Sequence, residues 1–461
     1  MQFQIEKLIY GGDGLARMPA DEQGRGKSVF VPFVLPGEQV EATLTEQRPG
    51  FARGRLDRVL TPAPDRVGPG CPYFTRCGGC HYQHIAYDAQ LRFKSGILRE
   101  TLRRTAKLEL EQEIQVHAAE PWNYRNRTRL HLRHAPEFAL GYHRLNSREL
   151  LPVETCPISS PLINQGIAAL WKLGREGSVP ENVHGLQFFA DQDDAKLLVE
   201  AYVLPARKEK THPTNSGLDG APRSDGTVAA GAMSQFAGVL RGLLPQMVGV
   251  VVFAGAAVED DLQPGTSLAS LRPEAGPVFG EDSLVYHAVG QDYRVSAGAF
   301  FQTNRFLVEE LARIATGTHM GRGALELYAG AGLFTALLAR NFDQVIAVEA
   351  SPHSFADLRR NVPHNVKCVR ATTEVFLAER AVKLAPDLVV VDPPRAGLGR
   401  KTAEALCRMN TPRVTYVSCD PATLARDLRA LLQSGFRVEQ AHLVDMFPQT
   451  FHMETVLHLV R

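Results

Sequence analysis

The chain has 461 residues, of which 44% are hydrophobic and 22% charged, and its net charge is +1. That length exceeds what a single hydrophobic core organises, so two or three domains are expected. The composition is ordinary and globular, and the balanced charge carries no overall nucleic-acid signature. The amino terminus lacks a basic segment followed by an apolar one, and no apolar run reaches the roughly 18 residues that span a bilayer. Seven cysteines in such a chain favour metal binding or catalysis over a disulfide framework. A cytoplasmic protein with no membrane partner and no obligate protein partner is the expectation.

Residues 1–62 read as five short strands punctuated by turns. Gly11-Gly12-Asp13-Gly14 is a turn, and 28–34, 38–44 and 54–60 are β-rich runs. The spacing predicts an OB-like barrel. Charge is balanced overall but segregated locally: from Arg48 to Lys107 there are 12 Lys/Arg against 4 Asp/Glu. That excess is either a nucleic-acid face or a solvated surface.

Residues 63–290 read as a β-rich central domain. Within it, 87–107 has helical periodicity, with Leu91, Ile97, Leu98 and Leu102 apolar and Arg92, Lys94, Arg99 and Arg103 interleaved. This helix is a candidate to pack on the catalytic domain. Residues 122–133 carry Trp122, Tyr124, Arg125, Arg127, Arg129 and Arg133. Alternation places the arginines on one strand face, suited to phosphate contact and base stacking. The bland alternative is an exposed amphipathic strand. Residues 205–231 are rich in Pro, Gly, Ser, Thr and charge and read as a flexible surface loop.

Three cysteines lie within ten residues in Cys71-x5-Cys77-Gly-Gly-Cys80. The paired glycines permit a tight wrap, and Cys156 beside Pro157 is the candidate fourth ligand. Four thiolates suit zinc as well as iron–sulfur chemistry. The wider first spacing favours a 4Fe-4S cluster over the paired short loops of common zinc sites. Cys368 and Cys407 read as core thiols.

Residues 291–461 alternate between strand and helix. Strands are expected at 324–328, 344–349, 365–370, 387–392 and 413–419. This is the pattern of an α/β, doubly wound parallel sheet, with two final β runs added at its edge. Three of the strands end in chemistry, in Gly330-x-Gly332, in Asp392-Pro-Pro-Arg395 and in Cys419. Ligands sit at the carboxyl ends of strands in such sheets, so the three ends should share one pocket. Glu349 ends the strand that follows the glycine turn, where a carboxylate can accept both hydroxyls of a ribose. Thr335 stands where a dinucleotide fingerprint needs its third glycine, which argues for S-adenosylmethionine over NAD. A thiol delivered at a strand end, before a polar helix start, suits nucleophilic attack better than core packing.

These motifs resemble those of a known family. Tyr328-x-Gly330-x-Gly332-x-Phe334, Asp392-Pro-Pro-Arg395, Ser418-Cys419-Asp420-Pro421 and His452-Met-Glu454-Thr-Val are together similar to the RNA 5-methyluridine (uracil-C5) methyltransferases. Phe301-Gln302-x-Asn304 resembles that family's glutamine motif, and the amino-terminal barrel resembles a TRAM domain. The cysteine spacing resembles the iron–sulfur branch, which includes 23S rRNA enzymes. The resemblance implies a class I, Rossmann-like catalytic domain that binds S-adenosylmethionine through Gln302, Tyr328, Gly330, Gly332, Glu349 and Asp392. It implies Cys419 as nucleophile, Glu454 as base, and Cys71, Cys77, Cys80 and Cys156 as 4Fe-4S ligands. The implied substrate is a uridine of 23S rRNA, with tRNA as the alternative. The chain departs from the pattern at Leu333 and Asp420, where asparagine is usual. An inactive RNA-binding relative, an NAD oxidoreductase and a DNA cytosine methyltransferase are the competing classes. The intact Cys419, Asp392 and Glu454, the missing glycine, and Ser418 rather than proline before the cysteine argue against them in turn.

Overall fold

The structure is a computed structural model and describes residues 1–19, 26–204, 225–254 and 274–461. The chain builds three main sheets, each with its own core.

The amino-terminal sheet has six strands in the order Gln2–Gln4, Gln39–Gln47, Phe51–Thr61, Ser28–Pro32, Asp13–Arg17 and Lys7–Leu8. Period-2 alternation sets its interior: Val29 and Val31 are buried while their strand neighbours Ser28, Phe30 and Pro32 are not. They pack with Phe3, Ile5, Val34, Val40 and Ala52. The barrel thus has one strand more than expected, because Gln2–Gln4 and Lys7–Leu8 are too short to register as periodic runs.

The central sheet has seven strands, and Arg127–Arg133 is one of its inner strands, between Ala139–His143 and Val183–Ala190. Helices Pro161–Arg175 and Asp225–Leu243 bury their apolar stripes in its core. Of the loop expected at 205–231, residues 205–224 lie outside the described residues, and 225–231 begin a helix instead. Met233, Phe236, Ala237 and Leu240 are buried at helical spacing further along. That apolar stripe propagates the helix back into sequence whose composition alone reads as loop.

The third sheet has eight strands in the order Val366–Arg370, Phe342–Glu349, Gly321–Leu327, Leu388–Val391, Arg413–Ser418, Glu454–Val460, Arg437–Val444 and Ile114–His117. Five parallel strands run from 366–370 to 413–418, and Leu388–Val391 is buried throughout, as a strand covered on both faces must be. Glu454–Val460 inserts antiparallel between Arg413–Ser418 and Arg437–Val444. The edge beyond them is closed by Ile114–His117, a strand that precedes those of the central sheet and lies within the segment assigned to the central domain. Helix Tyr87–Thr101 comes from the same early segment and buries Ile97 and Leu98 with Leu424, Leu428 and Leu431 of the catalytic domain. The hairpin Ser283–Ala288 and Gln291–Ser296 packs Leu284, Tyr286, Tyr293 and Val295 against Phe301, Leu311 and Phe334. A cut at 290/291 therefore passes through its turn. No helix among the described residues is long and apolar enough to cross a membrane.

Candidate active site

Strands Gly321–Leu327, Leu388–Val391 and Arg413–Ser418 are hydrogen-bonded neighbours running parallel, so their carboxyl ends lie side by side. The first end is a turn that only particular residues can make. Gly332 has φ +93° and caps the following helix Leu333–Asn341; a Cβ there would stand 2.9 Å from Leu358 Cδ1. Gly330 has φ +56° and Tyr328, a non-glycine, has φ +64°, a strained backbone of the kind that collects at ligand sites. Gln302, Tyr328, Gly330, Leu333 and Asp392 line one pocket over this turn, with Phe300 and Glu326. Gly332 and Glu349 do not line it, but Glu349 accepts from Gly330 N at 2.9 Å and from Ser351 N at 2.6 Å, which ties the turn to the carboxylate. Asn304 is structural, since its amide donates to Met446 O at 3.1 Å and its carbonyl accepts from Phe306 N at 3.0 Å.

Sequence reasoning misses Glu326. It lies inside an apolar strand, wholly buried, and burial pushes its carboxyl up to about 8. Thr335 Oγ1 donates to it at 2.5 Å, so the residue that breaks the dinucleotide fingerprint partners the hidden acid of the pocket. A Glu between two leucines was the available signal.

The third strand end faces a carboxylate on its antiparallel neighbour, and Asp392 at the second lies one strand further away. Ser418 pairs with Thr455, so Cys419 and Glu454 are the next residues across the ladder. Burial first, then Glu454 and Asp392, push the Cys419 thiol up to about 12, with Arg395 opposing and Asp420 adding. Burial raises Asp392 to about 7, and burial together with Asp392 raises Glu454 well above the carboxylate range. The three groups form one set beside the exposed Arg395, with Glu454 buried and Asp392 and Cys419 partly so. Asp420 plays a structural part, because its Oδ1 caps helix Pro421–Gln433 by accepting from Ala422 N and Thr423 N, both at 2.9 Å. Its Oδ2 accepts from Tyr10 Oη at 3.1 Å.

Residues 122–133 do not form an open basic face. Tyr124 is buried with its hydroxyl on Pro448 O at 3.1 Å. Arg127 is spent on Glu200 at 2.7 Å and Ala299 O at 2.5 Å, and Arg129 stacks on Tyr202 at 3.5 Å. The strand alternates buried and half-buried residues, with Arg127 and Arg129 half-buried and only Arg133 exposed, so the charges of the first two are met by partners inside the protein. Much of the basic excess between Arg48 and Lys107 is likewise paired, as in Arg66–Glu38, Arg92–Asp65 and Lys94–Asp445.

Cys71, Cys77, Cys80 and Cys156 line a single cavity of about 220 Å³, together with Arg125 and Tyr142. Burial pushes the thiol of Cys77 up to about 11 and that of Cys80 up to about 12. Among the described residues no group of three or more His, Cys, Asp or Glu is disposed to hold a metal ion. Cys368 and Cys407 are half-buried in a strand and a helix, away from this cavity.

The doubly wound sheet and the glycine turn over Glu349 are those of a class I, S-adenosylmethionine-dependent methyltransferase. Comparison with known proteins narrows this. Residues 281–461 match the family model of tRNA (Uracil-5-)-methyltransferase, and residues 4–56 match the TRAM domain. An RNA methyltransferase of Aquifex aeolicus, described as uncharacterized, is 30% identical over 99% of this chain and 97% of its own length. The 23S rRNA (uracil(1939)-C(5))-methyltransferase RlmD of Pectobacterium atrosepticum is 30% identical over 96% of this chain and 90% of its own. The fold is shared with Pyrococcus abyssi tRNA (uracil-54, C5)-methyltransferase in complex with S-adenosyl-L-homocysteine, at a TM-score of 0.72 and 22% identity over the whole of both chains. The chain belongs to the RNA (uracil-C5-)-methyltransferases, enzymes that use S-adenosylmethionine, and it carries an amino-terminal TRAM domain.

Proposed function

We propose that this enzyme methylates C5 of a uridine in 23S rRNA through a covalent adduct between Cys419 and C6 of the base. The observation that carries the chemistry is that Cys419 directly follows Ser418, and Glu454 directly precedes its ladder partner Thr455, at adjacent strand ends. The RNA rests on the relative whose name specifies 23S rRNA, with tRNA as the second substrate class. Such a substrate also implies work in the cytoplasm.

Uracil C5 is a poor nucleophile. Addition of the Cys419 sulfur to C6, with release of the thiol proton, turns the ring into an enolate with carbanion character at C5. C5 then takes the methyl group that S-adenosylmethionine supplies. Glu454 removes the C5 proton, and elimination across C5–C6 returns the Cys419 thiolate. Splitting one hard displacement into these steps is covalent catalysis. Burial raises the proton affinity of Glu454, which makes it a stronger base than a surface carboxylate. Gln302, Tyr328, Gly330, Gly332, Glu349 and Asp392 hold the methyl donor. On this reading the barrel of residues 1–62 and the central sheet carry the RNA, while the hairpin from Ser283 and the residues that follow it carry the chemistry. Helix Tyr87–Thr101 and strand Ile114–His117 join the catalytic unit.

The cysteine cavity is read as the seat of a 4Fe-4S cluster with Cys71, Cys77, Cys80 and Cys156 as ligands. Four sulfurs around one cavity wider than a single ion support a cluster over zinc, whose bonds to sulfur are only about 2.3 Å. With all four thiols serving as its ligands, such a cluster would organise the 71–80 segment. Anaerobically purified protein should be brown, with iron and acid-labile sulfide in equal amounts; colourless protein with zinc overturns this assignment.

Nucleoside mass spectrometry of separated 23S rRNA and tRNA, from a strain lacking the gene, tests the substrate. Loss of 5-methyluridine from 23S rRNA, restored by the wild-type gene and not by Cys419→Ala, is expected. Loss from tRNA alone would keep the chemistry and replace the substrate. Glu454→Gln should accumulate a protein–RNA adduct on denaturing gels, and normal turnover would remove Glu454 from the mechanism.

A further inference from the structure

A base extruded from RNA loses its stacking neighbours and needs replacements beside the nucleophile. Residues 122–133, whose aromatic and basic pattern suits such stacking, are packed inside the protein. The half-exposed rings near Cys419 come from elsewhere. Tyr10 lies in the turn between the barrel strands Lys7–Leu8 and Asp13–Arg17 and reaches the catalytic domain. Its hydroxyl donates to Asp420 Oδ2 at 3.1 Å, one residue from the thiol. Its ring meets that of Phe451 edge-on, with centroids 5.5 Å apart. Phe451 in turn lies 4.1 Å from the His452 ring and 4.5 Å from that of His81.

The turn is seated firmly. A Cβ on Gly12 would stand 3.3 Å from His81 Cβ and 3.4 Å from Phe451 Cδ1, and Gly12 has φ +96°. Tyr10, Phe451, His452 and Cys419 are all only partly buried, so the three rings and the thiol each keep some open surface although Tyr10 and Phe451 also pack on the core. The hydroxyl of Tyr10 is tied to the carboxylate that caps the helix following the nucleophile, which fixes the ring beside that helix start.

We propose that Tyr10 belongs to the acceptor-base pocket: with Phe451 and His452 it forms the aromatic wall on which the extruded uracil stacks beside Cys419. The amino-terminal barrel is then part of the catalytic centre as well as an RNA-binding module. The inference rests on the reading of Cys419 as the nucleophile.

The test uses the full-length enzyme and the variants Tyr10→Leu, Tyr10→Phe and Phe451→Leu. Steady-state kcat and KM on RNA are compared with S-adenosylmethionine affinity by calorimetry and with thermal unfolding. Loss of a stacking ring should lower kcat/KM for RNA by roughly 10- to 100-fold in Tyr10→Leu, with the affinity for S-adenosylmethionine unchanged. Tyr10→Phe should recover most of that loss, and Phe451→Leu should repeat it. Leucine fills an apolar gap about as well as phenylalanine, so a packing role makes the opposite prediction. Tyr10→Leu within about threefold of wild type overturns the proposal. So does a Tyr10→Phe variant as impaired as Tyr10→Leu, which would assign the effect to the hydroxyl alone. An active Cys419→Ala enzyme would instead displace the nucleophile, and the dependence on an aromatic ring at position 10 would be read separately.

Discussion

The ammonium of Lys94 and the carboxylate of Asp445 form a fully buried pair at 2.5 Å, joining residues 351 positions apart. Lys94 also donates to Phe447 O at 3.0 Å, and one turn earlier Gln90 exchanges hydrogen bonds with Gln449. Helix Tyr87–Thr101 therefore clamps the loop that leads from Arg437–Val444 to Glu454. Burial lowers the proton affinity of the Lys94 amine, and Asp445 opposes that shift.

Lys94→Met should leave Asp445 charged and alone in the interior, at a cost of about 3–5 kcal/mol. The double variant Lys94→Met/Asp445→Leu should regain most of that. Urea unfolding of the three proteins checks both outcomes, and a single variant as stable as wild type would show that the pair is dispensable.

Asp420→Asn separates the cap from the charge. An amide oxygen still accepts from Ala422 N and Thr423 N, so stability should change by less than about 1 kcal/mol. The carboxylate that helps raise the Cys419 thiol is gone, and the thiolate then forms at lower pH. For both enzymes kcat/KM on RNA should climb with pH as the thiolate forms. The climb should begin earlier in the variant, and superimposable pH profiles would remove Asp420 from the control of the thiol.

His442 and His458 are buried on adjacent strands, and burial and neighbouring imidazoles lower both from 6.5 to about 4. Above pH 6.5 both are neutral whether the chain is folded or not, and they cost nothing. As pH falls from 6.5 towards 4 the unfolded chain takes up protons that the folded chain refuses, so stability declines across that window, by on the order of 3 kcal/mol for each imidazole. Thermal unfolding at stepped pH should show this acid limb, and His442→Gln/His458→Gln should flatten it.

The two glycines of the cofactor turn should respond unequally to alanine. Gly330 at φ +56° has no atom within 4 Å of an added Cβ, so Gly330→Ala costs only the left-handed conformation, about 1–2 kcal/mol. Gly332 at φ +93° would push a Cβ to 2.9 Å from Leu358 Cδ1 and 3.1 Å from Val362 Cγ1. Gly332→Ala should lose roughly tenfold or more in affinity for S-adenosylmethionine, since the loop must shift. Calorimetry on both variants decides, and equal affinities would contradict the close packing.

The sequence by itself determined the local chemistry. Glycines at a strand-to-helix turn, a thiol at a strand end and an acid ending the next strand are readable because each depends on its immediate neighbours, and parallel strands bring their ends together automatically. Tertiary structure alone decided which side chains those ends would meet. Periodicity reports that a face is apolar without saying what covers it, so the clamp of Lys94 on Asp445, the edge strand Ile114–His117 and the burial of Arg127 on an inner strand were not legible. Glu326 was hidden for the same reason, as was the approach of Tyr10 to Asp420 from 410 residues away. Charge, burial and proton affinity are set by such long-range contacts, whereas a motif records only what is adjacent along the chain.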